Sequence, residues 1–344
     1  MMRQKYEITL YETYIMDFLS YFVLFVMIWF LYTHITHQWK SGEDLEIYEY
    51  DFVSAVELQD ICKWKQPVLF SYHIPKTQDP LEFIQVIDKR DIKTASHIET
   101  IRLPHDSARG LFDTDTKSLF FSHHNGKFIQ HHKVWKEWFK SWDQFLKPAF
   151  CLYSDYDVMY GSRKTRTVTT FHVESHVYLY VPPETNKTNI RVKMTPSQSK
   201  LFLSPVSDYT DFKFWSAIDL FEPHDRIQCL DFLVNPGCIL YVPPYWFYSI
   251  EYQDKGNEIC LMKYITAPNL AANLKHHSLY FMQQQNIEES WWKPLDQNGA
   301  EAEAEEDVGN QKEAGNQKEA GNQKETGKSE AEILIDDLKK KHKI

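Results

Sequence analysis

The chain has 344 residues, 43% of them hydrophobic and 15% aromatic, which is room for one large domain or two ordinary ones with a well-filled core. A formal net charge of −10, with no basic stripe carrying interleaved aromatics, argues against a nucleic-acid partner. The five cysteines (Cys62, Cys151, Cys229, Cys238 and Cys260) are odd in number and form no CxxC pair, so they indicate neither a zinc site nor a disulfide framework.

Residues 18–33, FLSYFVLFVMIWFLYT, carry no charge. At 1.5 Å per residue the run reaches roughly 24 Å, and Tyr14, Ile15 and Met16 extend it toward the ~30 Å of a bilayer core. The sequence therefore predicts one membrane span over about 14–33, within an N-terminal tail and anchor of residues 1–40. No small-x-small cleavage site follows, as a signal peptide would require. Arg3 and Lys5 before the span against Lys40 after it lean toward a cytosolic N-terminus and a lumenal or extracytosolic body. Asn186, Lys187 and Thr188 form a glycosylation sequon in an expected turn, which suits that orientation.

The body opens with a strand at 47–50, a helix at 55–62 and a strand at 67–72. Helices are expected at 80–89 and 134–146, the second with Trp135, Trp138, Phe139, Trp142 and Phe145 at helical spacing, a packing face. His123 and His124, then His131 and His132, flank an expected hairpin turn at Asn125 and Gly126. Adjacent residues on a strand point to opposite faces, so at most one of each histidine pair is expected to share a site.

Residues 165–182, TRTVTTFHVESHVYLYVP, are β-branched and aromatic and predict one strand. On it His172, Glu174 and His176 fall on one face. Residues 200–205 predict a further strand. Within 226–252, Asn235, Pro236 and Gly237 predict a tight turn, 238–242 a buried strand, Pro243 and Pro244 its stop, and 246–252 an aromatic strand. A strand at 258–266 and a helix at 273–285 follow; such a closing helix often serves dimerisation. Residues 296–330, acidic and then three near-copies of GNQKEA, predict a disordered linker. Residues 331–344 predict a short amphipathic, basic helix.

Two stretches carry a family resemblance. Thr169, His172 and Glu174 resemble the Thr-x-x-His-x-Asp/Glu strand of the cupin-like, JmjC-type oxygenases, and the turn, apolar strand, Pro bend and aromatics of 235–247 resemble that family's second signature. The resemblance covers roughly residues 45–268 and implies a cupin-like domain over 45–295. The implied fold is mainly β with flanking helices (α+β), a double-stranded β-helix or jelly-roll preceded by one transmembrane helix. It implies Fe(II) held by His172, Glu174 and the residue at 248, with 2-oxoglutarate near Thr169, Tyr178 and Lys200. The family has a histidine where this chain has Tyr248. His176 is the alternative third ligand. The usual Asn is replaced by Tyr178, and no Gly-x-Lys turn precedes the strand at 200–205.

Three functions follow. One is a membrane-anchored binding or scaffolding module that has lost catalysis and holds no cofactor, with a protein partner or a second copy of itself. Another is an Fe(II)/2-oxoglutarate-dependent hydroxylase acting on a protein or other large substrate. The last is a membrane structural protein.

Overall fold

The computed structural model describes residues 2–36, 42, 44–51, 54–75, 80–92 and 100–285. The repeat linker and basic C-terminal segment expected at 296–344 lie outside the described residues.

Helix α1 (Met2–His34) begins the chain. From Tyr14 to Tyr32 its side chains are exposed on every face, whereas Thr33 at its foot is buried. The apolar stretch is Tyr14–His34, 21 residues, or roughly 32 Å at 1.5 Å per residue. That is long and apolar enough to cross a bilayer, and longer than the uncharged run of sequence alone. The foot is fixed to the body: His34 Nδ1 donates to the Ala272 carbonyl at 3.2 Å, and the Lys65 ammonium donates to the Thr36 carbonyl.

Among the described residues fifteen strands form two sheets. The larger has the order β1 (Tyr48–Tyr50), β2 (Val68–Ser71), β13 (Cys238–Val242), β8 (His176–Tyr180), β15 (Asn257–Thr266), β6 (Cys151–Gly161), β5 (Phe120–Ser122), β3 (Phe83–Asp88) and β4 (Ile101–Pro104). The smaller runs β10 (Val206–Asp208), β11 (Lys213–Ser216), β7 (Thr169–Phe171), β14 (Phe247–Glu251), β9 (Ile190–Thr195) and β12 (Leu230–Val234). Every pairing is antiparallel except β1 with β2. The chain is mainly β with flanking helices, an architecture consistent with a cupin-like fold.

Period-two alternation divides each sheet's side chains between two layers. Val177, Leu179, Leu240, Val242 and Leu261 of the large sheet meet Val192, Met194, Trp215, Tyr248 and Ile250 of the small one in the layer between them. On the opposite face of the large sheet, Tyr178, Tyr180, Tyr241 and Tyr264 pack on α2 (Ala55–Cys62), α4 (His105–Thr114), α5 (Gly126–His131) and α6 (Lys133–Leu146). The aromatic stripe of α6 is buried as its spacing predicts, with Trp142 against Tyr180 at 4.6 Å between ring centroids. Burial of such a side chain contributes about 1.5–3 kcal/mol. Smaller helices complete the fold: α3 (Lys89–Ile92), α7 (Lys200–Leu203), α8 (Ala267–Ala272) and α9 (Leu274–Gln284).

Four local expectations are corrected. Residues 80–89 hold strand β3 rather than a helix, because pairing with β4 and β5 buries Ile84 and Val86. Residues 200–205 hold α7, closed by Ser204 in the left-handed region at φ 45°. Asn125 and Gly126 open α5 instead of a hairpin; the Asn125 amide donates to Ser122 Oγ and the Val158 carbonyl and its oxygen accepts from Gln85 N, tying β3, β5 and β6 together. Asn186 is buried at 2% exposure with its amide donating to the Pro182 and Glu258 carbonyls, so the folded sequon offers no acceptor nitrogen for a glycan.

Two expected outcomes test this packing. A methyl group added at Gly161 would fall on the ring of Tyr252, which is fully buried. Gly161→Ala is therefore expected to destabilise by about 1–3 kcal/mol in a denaturant titration; an unchanged midpoint would contradict the β6 geometry. Burial pushes the Cys62 thiol up to about 12 despite the nearby Tyr178 hydroxyl. At pH 8 its thiolate fraction is then roughly 1 in 10,000, against roughly a quarter for a free cysteine. N-ethylmaleimide should leave Cys62 unmodified in the native protein and label it after unfolding.

Candidate functional site

The stretch expected as one strand over 165–182 is two strands in different sheets. β7 ends at Phe171 in the small sheet, the chain crosses over at 172–175, and β8 starts at His176 in the large sheet. The crossing is held from three sides. Tyr245 N donates to the His172 carbonyl at 2.8 Å. Asn269 and Asn273, at the two ends of α8, both donate side-chain amide protons to the Val173 carbonyl at 2.8 and 3.3 Å. Ser175 Oγ donates to the Tyr264 carbonyl at 2.7 Å.

This crossover aims His172 and Glu174 inward, where Tyr248 of β14 meets them. His172 Nε2 and Tyr248 Oη are 2.8 Å apart, and the two rings lie 29° from parallel. His172 Nδ1 is 3.6 Å from Glu174 Oε2, and Lys263 Nζ is 3.9 Å from the other Glu174 oxygen and 2.5 Å from Asp155. His172, Glu174 and Tyr248 are buried, and Lys263 and Asp155 are partly exposed. Burial opposes ionisation of the Glu174 carboxyl, but the hydrogen bond and charge of His172, with the charge of Lys263, outweigh it and bring its pKa to about 2. Burial drives the Tyr248 phenol well above its ordinary value, against the pull of Lys263. The phenol is neutral at physiological pH.

A second group lies nearby, at the end of β5 and on β6. β5 stops at Ser122, and His124 takes a left-handed conformation at φ 68°. This breaks the alternation expected for adjacent residues, and the His123 and His124 rings stack at 4.0 Å and 17° instead of facing apart. Asp157 of β6 underlies them: its Oδ2 accepts from His124 N at 2.7 Å and lies 3.4 Å from His123 Nε2, and its Oδ1 accepts from Asn125 N at 2.6 Å and Val158 N at 2.8 Å. One ligand atom from each of His123, His124 and Asp157 lies within 4.8 Å of the others, a grouping able to hold a metal ion. Burial holds both imidazoles well below their usual pKa, aided by the positive charge of Lys263. Burial also pushes the Asp157 carboxyl up to about 7, against Lys263. A cavity of about 40 Å³ that both histidines share with His172 is also lined by Thr170, Lys213 and Lys263, among others.

The remaining residues expected at the site lie elsewhere. Thr169 is one residue out of phase with Thr170 on β7, and its hydroxyl donates to the Ile218 carbonyl at 2.5 Å. Tyr178 faces the helical layer, 3.5 Å from Cys62 Sγ. His176 lies with it, its ring 5.8 Å from that of Tyr241, because the sheet changes between 171 and 176. Lys200 is exposed on α7. Asp157, Lys213 and Lys263 were not singled out from the sequence. A single charge inside an apolar strand, as in YDVMY or CLMKYI, was the signal available.

No family model matches this chain, and no curated protein matches it. Among solved structures it is similar to YcfD, a ribosomal oxygenase from Escherichia coli in complex with cobalt and 2-oxoglutarate, at 14% identity and a TM-score of 0.37. The match covers 73% of this chain and 64% of that protein's length.

Tyr248→Phe removes the hydroxyl that pairs with His172 and leaves a buried imidazole nitrogen without it. A loss of about 1–2 kcal/mol is expected by chemical denaturation. A variant as stable as the parent would show that the contact contributes nothing.

Proposed function

We propose that this protein is a membrane-anchored cupin-like domain in which the family's iron centre is closed off, and that it works as a binding or scaffolding module instead of an oxygenase. The observation that carries this reading is the 2.8 Å hydrogen bond between His172 Nε2 and Tyr248 Oη. A facial iron site needs two imidazoles and a carboxylate on one side of the metal. Here one imidazole nitrogen is engaged by a neutral phenol, a weak ligand until it loses its proton. The donor set at His172, Glu174 and Tyr248 does not fit ferrous iron.

The co-substrate fares no better. Each enclosed water needs ~10–15 Å³, so the cavity has space for roughly three, far less than a five-carbon dicarboxylate beside a metal. The inward residues of β9, Ile190, Val192 and Met194, are apolar and offer no cation. Lys213 and Lys263, the cations on the cavity wall, are already paired with Asp211 and with Asp155, each at 2.5 Å.

In this reading the sheets are the walls of a double-stranded β-helix, and α1 is a single-pass anchor. The exposed Leu274, Leu279, Phe281 and Met282 of α9 offer a face for a protein partner or a second copy. The lumenal orientation of the body rests on flanking charge alone, since Asn186 is buried.

The test is turnover. Full-length protein in detergent, given Fe(II), ascorbate and 2-oxoglutarate, is expected to release succinate no faster than a heat-denatured control. Uncoupled succinate release by the wild type, lost in His172→Ala, would instead establish the hydroxylase.

A further inference from the structure

We propose that His123, His124 and Asp157 form a divalent-cation site, distinct from the position at His172 and Glu174, with both of its histidines on the wall of the cavity that His172 also lines.

The geometry is that of a held ligand set. A tetrahedral ion with bonds of ~2.1 Å places its ligand atoms roughly 3.4 Å apart, and His123 Nε2 already lies 3.4 Å from Asp157 Oδ2. The third donor, on His124, is within 4.8 Å of both. Asp157 cannot swing away, because three backbone N–H groups hold its oxygens, and Oδ2 accepts only one of them. The turn that carries the histidines is held too, through the buried side chain of Asn125.

The left-handed backbone of His124 brings two imidazoles onto one side, stacked at 4.0 Å. The clasp of Asp157 on the turn accounts for the carboxylate but not for two stacked rings above it.

Two imidazoles and one carboxylate select a transition-series ion such as Zn²⁺, Co²⁺, Mn²⁺ or Fe²⁺ over Mg²⁺ or Ca²⁺, which prefer oxygen. The roughly 40 Å³ of cavity leaves room for waters on its open positions.

The experiment is a titration of EDTA-stripped, full-length protein in detergent with Co²⁺, read by visible absorption, and with Zn²⁺, read by calorimetry. One equivalent is expected to bind. The His123→Ala/His124→Ala variant, shown folded by circular dichroism, should lose affinity about 100-fold, and His172→Ala should keep it. Zn²⁺ should raise the melting temperature of the wild type and not of the double variant. If the double variant does not fold, His123→Gln and His124→Gln singly are each expected to weaken binding about tenfold or more. No binding by folded wild type, or equal binding by the histidine variants, overturns the site. Binding lost in His172→Ala alone overturns it as well, and places the ion at His172 and Glu174 against the proposed function.

Discussion

The hydrogen bond between His172 and Tyr248 stands at the point where the chain leaves the small sheet for the large one. It joins the end of β7 to β14, already paired through Thr170 and Tyr248, and the Tyr248 ring sits in the layer between the sheets. A buried donor and acceptor that satisfy each other stabilise modestly, but either one left alone costs its full desolvation. The pair is thus self-consistent as protein structure without a ligand. In the proposed reading this is why a domain with an incomplete iron centre keeps its fold.

The same crossover couples the site to the N-terminal helix. Asn269 and Asn273 of the α8 region hold the Val173 carbonyl, and the Ala272 carbonyl between them accepts from His34 at the foot of α1. α9 continues from α8, and its His277 and Tyr280 pack on Phe212, which lines the cavity. The helix that the proposal places in a bilayer, the cavity rim and the 172–174 turn form one connected block. A partner that engaged α9 would touch that block directly.

Much of the fold was legible because its signals were local. The Pro-Gly turn, the stop at Pro243 and Pro244, and the aromatic period of α6 each follow from a few neighbouring residues. The pairing of His172, Glu174 and Tyr248 across 76 residues came from resemblance, not from pattern. What was missed depended on backbone geometry that composition does not announce. A left-handed His124 defeats the alternation rule, and a change of sheet between 171 and 176 carries His176 to the other face. Residues 200–205 read as a strand and form a helix, because four residues are too few for propensity to decide against tertiary packing.

The central claim is that Tyr248 occupies His172 and denies it to a metal. The most direct measurement is an anomalous difference map from a crystal of the protein soaked in Co²⁺. The account predicts no peak within ~2.2 Å of His172 Nε2, with the Tyr248 hydroxyl still at hydrogen-bond distance. A peak bonded to both His172 and Glu174, with Tyr248 displaced or ligating, would contradict it.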